Sequence, residues 1–372
     1  MGARVHMTTP FQPLVLAIIA GFPVFGYAIE PERPRQEDSL SRAVFAAGRL
    51  WVLSDAGDLS SMTEGQDTRT PEALPEKVYD LCVRDGRPVV ITGTEHQSSW
   101  TLRQRSDDSW SVTAVIPRKR EDFYALDCSG SSFTVLTSNR LVDLEGNRQR
   151  AVKLSGKMAV GRVTSTYRTS DKLLVGFNAG EFGGGLNRID LRNGHIRRDW
   201  LGRMDWRAPV KEFSCGAPPN FCTAVNGIIA DPWKPDCIVV AFGTVHWLSY
   251  GRLAEICGTQ VQPIYYKPYE DPDLTPAERA ERLRRMGFPE GESPSTVAFF
   301  GLARVGDTLW AVGNDGLYDI GSDGTAHFVP PPQYKDVGGI PVSYDLPQFV
   351  LVLTIINQRH SLGGASPLLV PR

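Results

Sequence analysis

Arg49-Leu-Trp-Val-Leu53, Pro88-Val-Val-Ile-Thr92, Ser132-Phe-Thr-Val-Leu-Thr137, Lys172-Leu-Leu-Val-Gly-Phe177, Cys237-Ile-Val-Val-Ala-Phe242, Thr308-Leu-Trp-Ala-Val-Gly313 and Phe349-Val-Leu-Val-Leu-Thr354 are seven short runs rich in β-branched and aromatic residues. Such runs read as strands when turn residues bound them. Here the turns are Ala47-Gly48, Asp85-Gly86, Ser129-Gly130, Ser170-Asp171, Pro235-Asp236, Gly306-Asp307 and Leu346-Pro347. Ahead of the turns lie further strand-like segments, as at 43–45, 78–81 and 123–126, so each repeat opens with a hairpin. Successive runs start 39, 44, 40, 65, 71 and 41 residues apart. A four-stranded propeller blade repeats every ~40 to 45 residues.

The two long gaps accommodate insertions at about 201–224 and about 263–297. The expected architecture is therefore all-β: a seven-bladed β-propeller of four-stranded antiparallel blades, with two loop insertions. One blade cannot bury both faces of its sheet alone, so blades must stack and close radially into a single domain over 39–372. In the second insertion, Thr275 and Glu278 form a capping box, Pro276 suits a first helical turn and Gly287 a stop, which predicts a short helix.

The N-terminus differs in character. Arg4 and His6 precede an apolar run from Leu14 to Phe25, then Gly26 and Ala28 precede the polar segment 29–38. This order reads as a signal peptide over 1–28, cleaved before Ile29, with translation starting at Met1 or Met7. The run is too short and too interrupted, at Pro23, to make a good permanent span, so a membrane role is expected only through an uncleaved signal. The expected location is secreted or periplasmic. Six cysteines follow the signal, an even number suited to disulfides in an oxidising compartment. Expected pairs are Cys215 with Cys222, across Pro218-Pro219; Cys82 with Cys128, in the opening strands of adjacent repeats; and Cys237 with Cys257. The last pair is awkward if Cys257 ends a fourth strand, because the second strand starts at the opposite end of the blade. A net charge of -2 and no long basic run exclude a nucleic-acid partner.

Leu302–Ile320, with Leu309-Trp310, Gly313 and Gly316-Leu317-Tyr318, resembles the repeat of regulator-type propellers found in bacterial periplasmic sensors. The first repeat keeps Leu50-Trp51 but continues Asp55-Ala-Gly57-Asp58-Leu59, and the second has Val for Trp. This resemblance implies the propeller fold and an exported sensing or binding role, and it carries no catalytic residues.

The site chemistry is less defined. Asn178-Ala-Gly-Glu181-Phe-Gly183-Gly184-Gly185 combines a carboxylate with glycines that let backbone approach a ligand, but lacks the Gly-Lys-Ser/Thr ending of a phosphate loop. The histidines show no HxH or HExxH spacing and no Gly-x-Ser-x-Gly occurs, so neither a metal nor another cofactor is expected. Ligand binding is expected on the face carrying the loops between the second and third strands, through Glu95, His96, Arg140, Asn178, Glu181, His246, Asp315, Arg359 and His360. The expected function is a binding or sensor scaffold for a small molecule, glycan or protein. The alternative is a hydrolase or lyase working at the mouth of the central channel, with Glu181 and His246 as catalytic candidates.

Overall fold

The computed structural model describes residues 40–63, 70–94, 97–106, 108–180, 184–198, 224–245, 249–270, 274–285, 287, 295–305, 307–329, 343–345, 349–353 and 367–371. Gln36–Arg372 gather into one compact unit. The signal-like segment lies outside the described residues.

Six sheets are four-stranded antiparallel meanders. The first comprises Leu40–Ala46, Arg49–Ser54, Leu59–Thr63 and Thr70–Pro71 (β1–β4), and the second Lys77–Arg84, Arg87–Gly93, Ser99–Ser106 and Ser109–Pro117 (β5–β8). Phe123–Asp127, Phe133–Thr137, Arg140–Glu145 and Arg148–Lys153 (β9–β12) make the third, and Arg162–Arg168, Lys172–Asn178, Gly184–Asp190 and Ile196–Arg198 (β13–β16) the fourth. The fifth holds Val225–Ala230, Cys237–Val245, Ser249–Cys257 and Gln260–Tyr265 (β17–β20), and the sixth Phe299–Val305, Thr308–Gly313, Leu317–Ile320 and Ala326–Val329 (β21–β24). The first strands lie side by side around the ring, which makes the chain a β-propeller.

The expectation of seven four-stranded blades is corrected to six. Phe349–Leu353 (β26) is the centre of a three-stranded sheet between Ser343–Asp345 (β25) and Pro367–Pro371 (β27), with no fourth strand among the described residues. The repeat signal comes from the apolar second strand, and that signal is blind to whether the polar outer strands follow it. β25 lies beside both β21 and β1.

Burial explains why those second strands are so apolar. Val89, Val90 and Ile91 of β6, and Val239, Val240 and Ala241 of β18, are fully buried because the sheets are covered on both faces by neighbouring blades. The core accordingly lies between blades: Ile91, Trp100 and Ile116 of the second pack with Leu126, Val135 and Val142 of the third.

Near the start of the first strand, each blade carries a β-bulge. Ser41, Tyr79, Tyr124, Thr164, Asn226 and Phe300 are the residues skipped in the pairing with the second strand. A bulge re-aims side chains, and polar groups around these bulges clasp one blade to the next. Asp80 accepts from Leu126 N (2.8 Å), Thr166 Oγ1 donates to Asp127 (2.7 Å), Ile228 N donates to Ser165 Oγ (3.0 Å) and Asn226 Nδ2 to Phe299 O (2.8 Å).

Two disulfides are present among the described residues. Cys82–Cys128 joins the second and third blades, and Cys237–Cys257 links facing residues of β18 and β19. The second pair meets easily because Cys257 ends the third strand, at the same end of the blade as Cys237. Cys215 and Cys222 lie outside the described residues. The insertion after β20 carries the helix Pro276–Arg285 (α1). Thr275 N donates to Glu278 Oε2 (2.9 Å), Glu278 N donates to Thr275 Oγ1 (3.3 Å), and Gly287 follows at φ 82°.

Candidate functional site

In an up-and-down blade, the start of the first strand, the second-to-third turn and the end of the fourth strand share one face. Three such segments meet between the third and fourth blades: the β8–β9 connection 118–122, the β10–β11 turn 138–139, and the β12–β13 connection 154–161. They enclose an open cavity of about 990 Å3.

One side is an ion pair held rigidly. Arg140, the first residue of β11, donates through Nε to Glu121 Oε1 at 2.7 Å, and its Nη2 bonds Pro117 O. Thr137 Oγ1 donates to the other Glu121 oxygen at 2.9 Å. Glu121 and Arg140 are both buried, 3% and 7% exposed, so the pair is shielded and its geometry fixed. Opposite, residues 154–161 form a strap pinned to both blades. Leu154 N donates to Asn139 O (2.8 Å), Ser155 N to Gly194 O (3.0 Å) and Ala159 N to the buried Asn187 Oδ1 (2.8 Å). Glycine is required in it. Gly161 sits at φ 123°, and a Cβ there would stand 2.5 Å from Asn178 O. Tyr124, Met158 and Val160 contribute apolar surface, and Lys119, Lys153 and Lys157 contribute charge.

Among the sequence candidates, Arg140 lines this cavity. Asn178 turns away: its Nδ2 donates to Asn226 Oδ1 at 2.6 Å and its Oδ1 accepts from Gly180 N at 2.7 Å. Asp315, on the sixth blade, accepts from Lys267 Nζ (2.9 Å) and from the Tyr318 hydroxyl (2.7 Å). Burial, and then the carboxylate beside it, push the Tyr318 phenol far above its ordinary pKa, so it stays protonated and donates. The structure thus does not bring these three together. Glu95, His96, Glu181, His246, Arg359 and His360 lie outside the described residues, as does the chemistry of the enzyme alternative. Among the described residues, no three His, Cys, Asp or Glu side chains group as a metal site would require.

The central channel is bridged near this face. Arg162 of β13 pairs with Asp55 of the first blade at 3.0 Å, each nearly half exposed. Next to it in the fold, Arg42 of β1 donates to Thr164 O and to Asp80 Oδ1, both at 2.8 Å. Sequence reasoning missed Glu121 and the three lysines. The signals were present in Arg118-Lys-Arg120 just ahead of a strand, and in the glycines that bracket the strap at 156 and 161.

No family model matches the sequence, and no curated protein matches it. Several solved structures are similar. The extracellular domain of the putative hybrid two component system BT4673 from B. thetaiotaomicron is 16% identical with a TM-score of 0.48, over 85% of this chain and 37% of that one. A puromycin-hydrolyzing peptidase of Mycobacterium tuberculosis is 11% identical with a TM-score of 0.53, over 91% of this chain and 51% of that one. YCF48 from Cyanidioschyzon merolae is 13% identical with a TM-score of 0.47, over 85% and 92%. The chain spans little more than a third of the first of these proteins. What it shares with them is the β-propeller fold.

Proposed function

We propose that this chain is an exported binding scaffold that takes its ligand on the face formed by the second-to-third strand turns and the connections between blades. The observation that carries the reading is the cavity between the third and fourth blades, which has the size of a small-molecule site and opens on that face. Arg140 is its fixed polar element. The bridged channel supports a ligand seated beside the axis rather than threaded along it. Export is supported by two disulfides and by the signal-like N-terminus.

A thermal-shift screen of small molecules, glycans and peptides tests this reading. A ligand should raise the melting temperature of the protein and lose its effect in Val160→Trp, which fills the cavity mouth from a side chain that is 75% exposed and so leaves the fold intact. Asp315→Asn should leave binding unchanged. A ligand indifferent to Val160→Trp would place the site elsewhere.

A further inference from the structure

Resting on that reading, we infer that the cavity takes a small polyanion: a molecule carrying two or more carboxylate or phosphate groups beside an apolar part. The charges lining the cavity are one-sided. Lys119 comes from the β8–β9 connection, Lys153 from the end of β12 and Lys157 from the strap, so they approach from different sides. All three are exposed, and among the described residues none of their ammonium groups makes an ion pair or hydrogen bond. The one carboxylate among the described lining residues, Glu121, is already paired with Arg140 and accepts from Thr137 on its other oxygen. Four cationic side chains therefore face one anionic side chain, in a protein whose overall charge is -2. A concave site of one sign concentrates counter-ions of the other.

The residue types refine the ligand class. A single exposed ion pair contributes little, so useful affinity requires several anionic groups engaged at once. Lysine ammoniums are mobile point charges without the planar fork of arginine, and they accept carboxylate and phosphate alike. Tyr124, Met158 and Val160 supply the surface for the apolar part, with Tyr124 re-aimed by the bulge of β9.

Isothermal titration of the full chain with citrate, pyrophosphate and tripolyphosphate, and with sucrose as a neutral control, tests the inference. We expect one saturable site for at least one polyanion, weakened by raised salt and weakened at least about tenfold in the Lys119→Gln/Lys153→Gln/Lys157→Gln variant. The relative affinities for citrate and the phosphates identify the anion source. The variant should melt as the parent does, because the lysine ammoniums have no partners to lose among the described residues. Absence of binding by all three anions, or binding that the triple variant leaves unchanged, would overturn the inference. A neutral ligand blocked by Val160→Trp but indifferent to the lysines would sink the polyanion and leave the binding scaffold standing.

Discussion

Arg42 of the first blade donates through Nη1 to the backbone carbonyl of Thr164 in the fourth, 2.8 Å away and 122 positions along the chain. These blades are not neighbours, so the guanidinium ties two sides of the ring together. Its Nε is committed to Asp80, whose side chain is 5% exposed and also accepts from Leu81 N and Leu126 N. Removing one partner of a buried pair strands the other charge. Arg42→Met should therefore cost about 3 to 5 kcal/mol in urea unfolding. Arg42→Met/Asp80→Asn should lose less than the two single changes added together, and strict additivity would mean that the pair is not coupled.

The two disulfides should differ in their effect. Cys82–Cys128 closes 46 positions and Cys237–Cys257 closes 20. On the chain-entropy account, their loss costs about 4 and about 3 kcal/mol. Paired Cys→Ala changes followed by denaturant unfolding check the order. Non-reducing peptide mapping should recover both bridges, and free thiols at these four positions would remove the structural support for export.

The fold was legible where burial imposes one chemistry on every repeat. β2, β6, β10, β14, β18 and β22 are sandwiched on both faces, so each had to be an apolar run. The turns were legible for a backbone reason: Ala47-Gly48 and Asp85-Gly86 all adopt positive φ, between 51° and 69°. Outer strands are another matter. β12, Arg-Gln-Arg-Ala-Val-Lys, is almost wholly exposed, and β4 has two residues, so neither bears a periodic mark. The bulges recur in all six blades on six residues spanning hydroxyl, amide and aromatic side chains, which no repeat search can align. The cavity was hidden because Lys119, Lys153 and Lys157 come from separate segments, two connections and a strand end, that only the fold brings around one space.

The Arg168–Asp143 contact between the fourth and third blades gives a pH signature. Burial raises the Asp143 pKa, but the Arg168 fork together with Ser132 and Thr134 outweighs it and holds the carboxyl below its ordinary value. A carboxyl depressed in the folded state stabilises above its unfolded pKa, about 3.9, and that stability is lost as pH falls through the lower folded value. Arg168→Gln should thus be less stable than the parent by about 1.5 to 3 kcal/mol at neutral pH. The difference should shrink below about pH 4 as the parent loses its advantage. Urea midpoints followed from pH 6 to pH 2.5 measure it, and a gap that widens on acidification would contradict the assignment.

Helix α1 offers a test of how far its insertion is coupled to the ring. Thr275 and Glu278 close a reciprocal capping box, yet no residue of the helix is buried. Its hold on the rest includes Arg279, which pairs with Glu270 at 2.8 Å just before the helix, and that contact is itself local. Thr275→Ala removes an N-cap at a cost of about 1 kcal/mol. With no buried residue to transmit the loss, it should appear as local opening. Amide exchange over 276–285 should quicken about fivefold while the melting temperature of the protein stays unchanged. A fall in melting temperature equal to that of a core substitution would show instead that the helix is anchored to the blades.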